Sequence, residues 1–259
     1  MSTLTLSLAV RDSSTMVRRQ LKRLIRYPSM TIQLVITPVI LLLLFVYVFG
    51  GTLGAGIGGG RDTYVNYVLP GILLMAVATA ATGTAVMVAT DMTEGIIARF
   101  RTMRISRASV LTGHVVGAVI QQLLGIAALL GVALAIDFNP NATPVEWLAA
   151  AGLLTLFALA ITWLAVALGL KAQTPESASN APMPLILLPF LGSGFVPTDS
   201  MPTLLRWFAE YQPFTPIMET IRGLLLGTPI GNNAAIATAW CTGIAALSYL
   251  WAKHTFNKA

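Results

Sequence analysis

The 259-residue chain is 56% hydrophobic and only 10% charged, where soluble domains run near a quarter charged; with a mean hydropathy of +0.77, this excludes a globule covered by polar groups. The net charge of +6 and pI near 9.8 do not point to nucleic acid, because the basic residues flank apolar stretches and suit anionic lipid instead. Cys241 is the single cysteine and has no intrachain disulfide or metal partner, so it reads as a small packing residue.

Residues 16–26 come first. Val17, Leu21, Leu24 and Ile25 fall on one arc at helical spacing, and Arg18, Arg19, Lys22, Arg23 and Arg26 fall on the other. This is the pattern of an amphipathic helix lying in the headgroup plane. Asp12 to Thr15 offer it an N-cap. A bilayer core needs about 20 apolar residues in helix. Spans are predicted at Met30–Phe49, Tyr67–Ala89, Val110–Ile136, Trp147–Leu170, Ala181–Val196 and Ala234–Trp251. The fifth is short and broken by Pro182, Pro184, Pro189, Gly192 and Gly194. Gly54 to Gly60 matches G-x-G-x-x-G, but a span precedes it, so it is expected to be a flexible external loop and not a dinucleotide site.

Thirteen of the 16 Lys and Arg fall on one side of this six-span path, which makes that side cytoplasmic. The expected fold is an all-α membrane protein with six transmembrane helices. A cytoplasmic segment over 1–29 precedes a single transmembrane domain over 30–252, and a cytoplasmic tail covers 253–259. A bacterial inner membrane with both termini in the cytoplasm is the expected setting.

The cytoplasmic loop 91–108 carries the most specific pattern. Asp91 and Glu94 resemble a capping box. Ile96, Ile97, Phe100 and Met103 then recur at helical spacing between basic flanks. A solvated loop does not need that apolar face. It suits either a groove on another protein or the lipid surface. Beyond the fifth span, residues 198–232 are too polar to cross and too apolar for a plain loop. Leu204, Leu205, Trp207 and Phe208 form one short apolar piece, Pro213 and Pro216 break the chain, and Ile217–Leu226 forms another, ended by Gly227. Two half-helices re-entering from the outer face fit this, since irregular backbone at membrane depth must be buried in protein or line a cavity. Glu210, Glu219, Arg206 and Arg222 would lie near the outer mouth, as gate residues or as plain interfacial charges.

Three segments now carry a resemblance. Glu94 to Arg107, Thr174-Pro175-Glu176-Ser177-Ala178, and Phe195 to Gly227 with its Pro213-Phe214-Thr215-Pro216 core resemble permeases of the ABC transporter type 2 family, closest to the daunorubicin-resistance branch of actinobacteria. The resemblance implies a dimer of this chain with two ATP-binding cassette subunits, which would carry the ATP and Mg; no cofactor is expected on this chain. It implies that Glu94, Gly95, Ile97, Arg99, Phe100, Arg101 and Met103 belong to a coupling helix that touches the ATPase, and that a re-entrant pair precedes the last span.

Function follows from what the chain lacks. The span cores are read as containing no Asp, Glu, His or Arg, only Gln121, Gln122, Thr79, Thr82, Thr84, Thr155 and Thr162 as polar groups. That weakens proton coupling. With no G-x-x-x-x-G-K-[S/T] the chain has no P-loop of its own. The expected function is the permease subunit of an ATP-driven exporter of a hydrophobic drug-like compound or lipid. The alternatives are an ion-coupled secondary transporter or channel and a non-transporting assembly subunit. Phe45, Thr79, Thr82, Phe190, Phe195, Glu210, Glu219 and Arg222 are the candidate path or gate residues. Span two is rich in small residues from Ala76 to Ala85, which suits either a sliding dimer face or packing within the chain.

Overall fold

The computed structural model describes residues 28–95 and 107–258. The predicted amphipathic helix over 16–26 and most of the coupling loop lie outside the described residues. Within them the chain is helical, with no strand. In chain order the helices are α1 (Pro28–Leu44), a π-helical turn (Phe45–Phe49), α2 (Gly50–Gly56), α3 (Arg61–Thr93), α4 (Arg107–Ala135), α5 (Pro144–Lys171), α6 (Pro175–Asn180), α7 (Met183–Leu187), a 3-10 turn (Thr198–Ser200), α8 (Thr203–Tyr211), α9 (Phe214–Leu226) and α10 (Asn233–Lys258).

Among the described residues, five helical stretches are long and apolar enough to cross a membrane: Leu34–Gly56, Arg61–Thr93, Thr112–Ala135, Pro144–Lys171 and Asn233–Phe256. These match the first, second, third, fourth and sixth predicted spans, but their ends differ. The first helix runs on through its π turn to Gly56. Gly54 is therefore buried helix and not flexible loop, and a Cβ there would lie 2.4 Å from the Gly60 carbonyl oxygen. The second starts six residues before Tyr67 and ends at Thr93. Helices do not stop where the apolar run stops, because charged residues at their ends are solvated without breaking backbone bonds. The tail that was expected after residue 252 is likewise helical to Lys258.

The fifth predicted span is not one helix. Residues 175–197 form α6, α7 and turns, with the Phe190 and Leu191 N–H groups bonded to the Leu187 and Leu188 carbonyls. Pro182, Pro184 and Pro189 each remove a backbone donor, and each proline also disfavours helical backbone at the residue before it. Short helices stand at both predicted places, as α8 and α9. Pro216 does not break the chain as expected. It sits in the first turn of α9, where no intrahelical donor is needed. Gly227, at φ 74, closes α9 with its N–H on the Gly223 carbonyl, a left-handed cap that only glycine adopts without strain.

Helix α3 is the axis of the fold. It packs on α1, α2, α4, α5, α6 and α9, and α5 packs in turn on α10. Ala78, Ala80, Ala81 and Ala85 are buried within the chain, so most of the small-residue stretch serves internal packing. Gly83 faces outward. A Cβ on Gly169 of α5 would lie 2.5 Å from the Ala85 carbonyl oxygen, so these two backbones are in direct contact. Thr143 and Glu146 form a complete capping box at the start of α5.

Candidate functional site

The non-helical backbone at 188–197 needs partners for its carbonyls, and three elements supply them. Arg222 of α9 donates from Nη2 to the Ser193 carbonyl at 2.8 Å and to the Tyr67 carbonyl at 3.0 Å, and from Nη1 to Glu219 at 2.6 Å. Its guanidinium lies 4.0 Å from the Tyr67 ring centroid. The Tyr64 hydroxyl donates to the Phe195 carbonyl at 3.3 Å. Gln212 donates to the Leu188 carbonyl at 3.3 Å and to Thr215 at 3.0 Å, while its own carbonyl oxygen accepts from the Phe214 N–H. Unsatisfied backbone in an apolar surrounding costs several kcal/mol per group, so these side chains make the broken segment possible.

Backbone contact tightens the same place. A Cβ on Gly71 would sit 2.8 Å from the Gly194 carbonyl oxygen, and one on Gly192 would sit 2.3 Å from the Gln212 amide nitrogen. Glycine is required here by space and not by turn geometry.

Electrostatically the knot is finely balanced. Arg222 is only 6% exposed. Burying a guanidinium costs several kcal/mol, against roughly 1.5–3 kcal/mol for each charge-assisted hydrogen bond and about 2 kcal/mol for a desolvated cation–π contact. Arg222 Nε and the Ser193 hydroxyl are buried without a partner.

Beside the knot stand three of the predicted path residues. Phe190 and Phe195 stack with centroids 4.3 Å apart and planes 6° from parallel. Phe45 lies 4.5 Å from Phe195. The π turn that begins at Phe45 adds one residue to the helix turn and re-aims its side chains. Phe195 is buried and Phe190 is 39% exposed.

The structure therefore brings together Phe45, Phe190, Phe195, Glu219 and Arg222. Glu219 and Arg222 form the i,i+3 pair that the sequence suggests. Glu210 does not join them. It pairs with Arg206 at 2.7 Å, which also holds Asp199 at 2.6 Å, all on exposed surface at α8. Thr79 and Thr82 lie further along α3 toward Thr93. Thr79 bonds back to the Met75 carbonyl, and the Thr82 hydroxyl is buried without a partner.

At the other end of α3, Glu94 is exposed and Gly95 adopts φ 69. Asp91 is helical, so it is not the N-cap residue that the sequence suggested. Asp91 lies in the last turn of α3 and Glu94 is its C-cap, with the left-handed Gly95 just beyond it. With α3 reaching Thr93 and α4 beginning at Arg107, the loop is shorter than 91–108. Ile97, Arg99, Phe100, Arg101 and Met103 lie outside the described residues.

Asp91 is buried 3.1 Å from His114 of α4. His114 contradicts the reading of span cores without Asp, Glu, His or Arg, and Asp91 and Arg222, outside the predicted spans, are buried as well. His114 stands inside the predicted third span and is legible there. Tyr64 and Tyr67 went unremarked in the sequence, where their three-residue spacing just before an apolar run was the one available signal for the knot. Ser193 and Gln212 carried none, since their roles arise from contacts across distant elements.

This is the architecture of a multi-pass helical membrane protein. The chain belongs to the ABC-2 type transporter family, which matches residues 12–226. It is 28% identical over 222 residues to the daunorubicin resistance ABC transporter permease protein DrrB1 of Streptomyces coeruleorubidus, covering 85% of this chain and 77% of that one. It is 23% identical over 211 residues to the probable doxorubicin resistance ABC transporter permease protein DrrC of Mycobacterium tuberculosis, covering 81% and 76%.

Proposed function

We propose that this chain is the membrane-spanning subunit of an ATP-driven exporter that moves a hydrophobic drug-like compound or a lipid out of the cell. The match to the ABC-2 type transporter family over residues 12–226 carries the reading, and relatives named for resistance to daunorubicin and doxorubicin support the cargo class. In this reading two copies of the chain pair in the bacterial inner membrane with both termini in the cytoplasm. Residues 175–197 complete a sixth, broken span, and α8 and α9 form the re-entrant pair on the outer side. Two ATP-binding cassette subunits dock on Glu94 to Met103 and hold the ATP and Mg. The chain itself is a transport component and hydrolyses nothing.

Co-expression with a candidate ATP-binding cassette ATPase tests this. The purified chain alone is expected to hydrolyse no ATP. The complex is expected to do so, and daunorubicin to raise the rate. No complex, or a complex whose ATPase ignores every hydrophobic compound offered, would count against the reading. The buried Asp91–His114 pair favours one second reading, an ion-coupled carrier. Daunorubicin export driven by a proton gradient in vesicles without ATP would select it.

A further inference from the structure

Arg222 spans three elements. It sits on α9, is held by Glu219 one turn back, and reaches carbonyls on α3 and in the 188–197 segment. Two buried groups at this place, Arg222 Nε and the Ser193 hydroxyl, are unpartnered. Native interiors leave few polar groups unmatched, and an unmatched charged donor is a place where strain is stored. A hydrogen-bond set that is nearly but not wholly closed suits an element with a second arrangement close in free energy.

The seam it closes is narrow. Gly71 and Gly194 meet backbone to backbone, and the Tyr64–Phe195 bond at 3.3 Å is long for an O–H donor. Arg222 is thus the strongest tie between α3 and the broken segment. Immediately beyond lie Phe195 and Phe190, the latter partly exposed.

We propose that Arg222 is a latch: clamped by Glu219, it holds the 188–197 turn against α3, and its release parts that seam beside the Phe45–Phe190–Phe195 cluster. Arg222 is a positioning residue here, acting through the carbonyl of Ser193. The proposal rests on the transport reading only for what passes through the opening. The opening itself is measured with neither ATPase nor cargo.

The experiment uses the full chain in membranes with Ser193→Cys, which leaves the main-chain carbonyl and its Arg222 bond in place. A charged, membrane-impermeant maleimide is the probe. Labelling of this cysteine is expected to be slow, since position 193 is only 3% exposed. Adding Arg222→Gln is expected to speed it by about tenfold, the shift expected when an equilibrium loses roughly one charge-assisted hydrogen bond. Arg222→Lys, which keeps the charge and loses the fork, is expected to fall between. Arg206→Gln, removing an exposed guanidinium from a separate ion network, is expected to change nothing. Native Cys241, buried on α10, separates opening from unfolding and is expected to stay unlabelled throughout.

Labelling at 193 that Arg222→Gln leaves unchanged would overturn the latch. So would labelling that rises in parallel at Cys241, which would make Arg222 a residue that merely holds the fold. If Arg222→Gln does not accumulate, Glu219→Gln takes its place, with faster labelling at 193 alone expected and unchanged labelling contradicting the proposal. In the complex with its ATPase, ATP is expected to change the labelling rate. A latch that responds to Arg222→Gln but never to ATP would stand while the ATP-driven reading fell.

Discussion

Single residues decide where this bundle can be tight. Gly169 and Gly152 both lie on α5, yet a Cβ on the first would strike the Ala85 backbone at 2.5 Å while one on the second would meet nothing within 4 Å. The same substitution therefore has opposite signs. Gly169→Ala is expected to lose about 1–3 kcal/mol through overpacking against a backbone that cannot yield. Gly152→Ala is expected to gain about 0.5–1 kcal/mol from helix propensity. Thermal unfolding of the two variants in detergent, measured against the parent, reads both signs, and equal shifts would contradict the packing described for α3 and α5. At this scale the sequence showed the residue types but not their company. The Glu219–Arg222 pair was legible from its spacing, while Tyr64 and Tyr67 were passed over. Arg222 reaching the Ser193 and Tyr67 carbonyls was not legible, because those bonds join positions 29 and 155 residues apart. The Asp91–His114 contact was not legible, although His114 itself stands in the predicted third span.

Elements were predicted well where apolar length alone sets them. Five long helices follow from five long apolar runs, with ends displaced because charged and capping residues extend a helix past its apolar part. Thr143 shows this at the start of α5, four residues before Trp147, with Glu146 accepting from the Thr143 N–H at 2.6 Å. Thr143→Ala is expected to cost about 0.5–2 kcal/mol, read as a lowered melting temperature with the five-helix content unchanged by circular dichroism. The predicted fifth span, 181–196, is not one helix, because Pro182, Pro184 and Pro189 leave its shape to its neighbours. The loop after α3 is where the family resemblance places the ATPase contact. There Glu94→Ala and Phe100→Ala are expected to reduce co-purification of the ATPase severalfold while leaving the chain in the membrane. Undiminished co-purification in both variants would remove the coupling role from this loop.

For the molecule as a whole, the distribution of Lys and Arg sets an orientation that the proposed function requires. Reporter fusions at residues 27 and 259 are expected to read cytoplasmic, and one after Asn232 to read external. A mismatch at either end would break the six-span path and move the proposed docking loop to the wrong side. The candidate site fits that orientation, since the Arg222 knot and the aromatic cluster lie at the Arg61 end of α3, and Glu94 lies at the other. The proposed function joins these ends into one claim: force applied at one face by a separate ATPase opens a path at the other. The most direct measurement is uptake of daunorubicin into inside-out vesicles that contain the chain with its ATPase. Uptake is expected to require hydrolysable ATP and to vanish when either chain is omitted. Uptake that persists without the ATPase subunit and follows an imposed proton gradient would contradict the account.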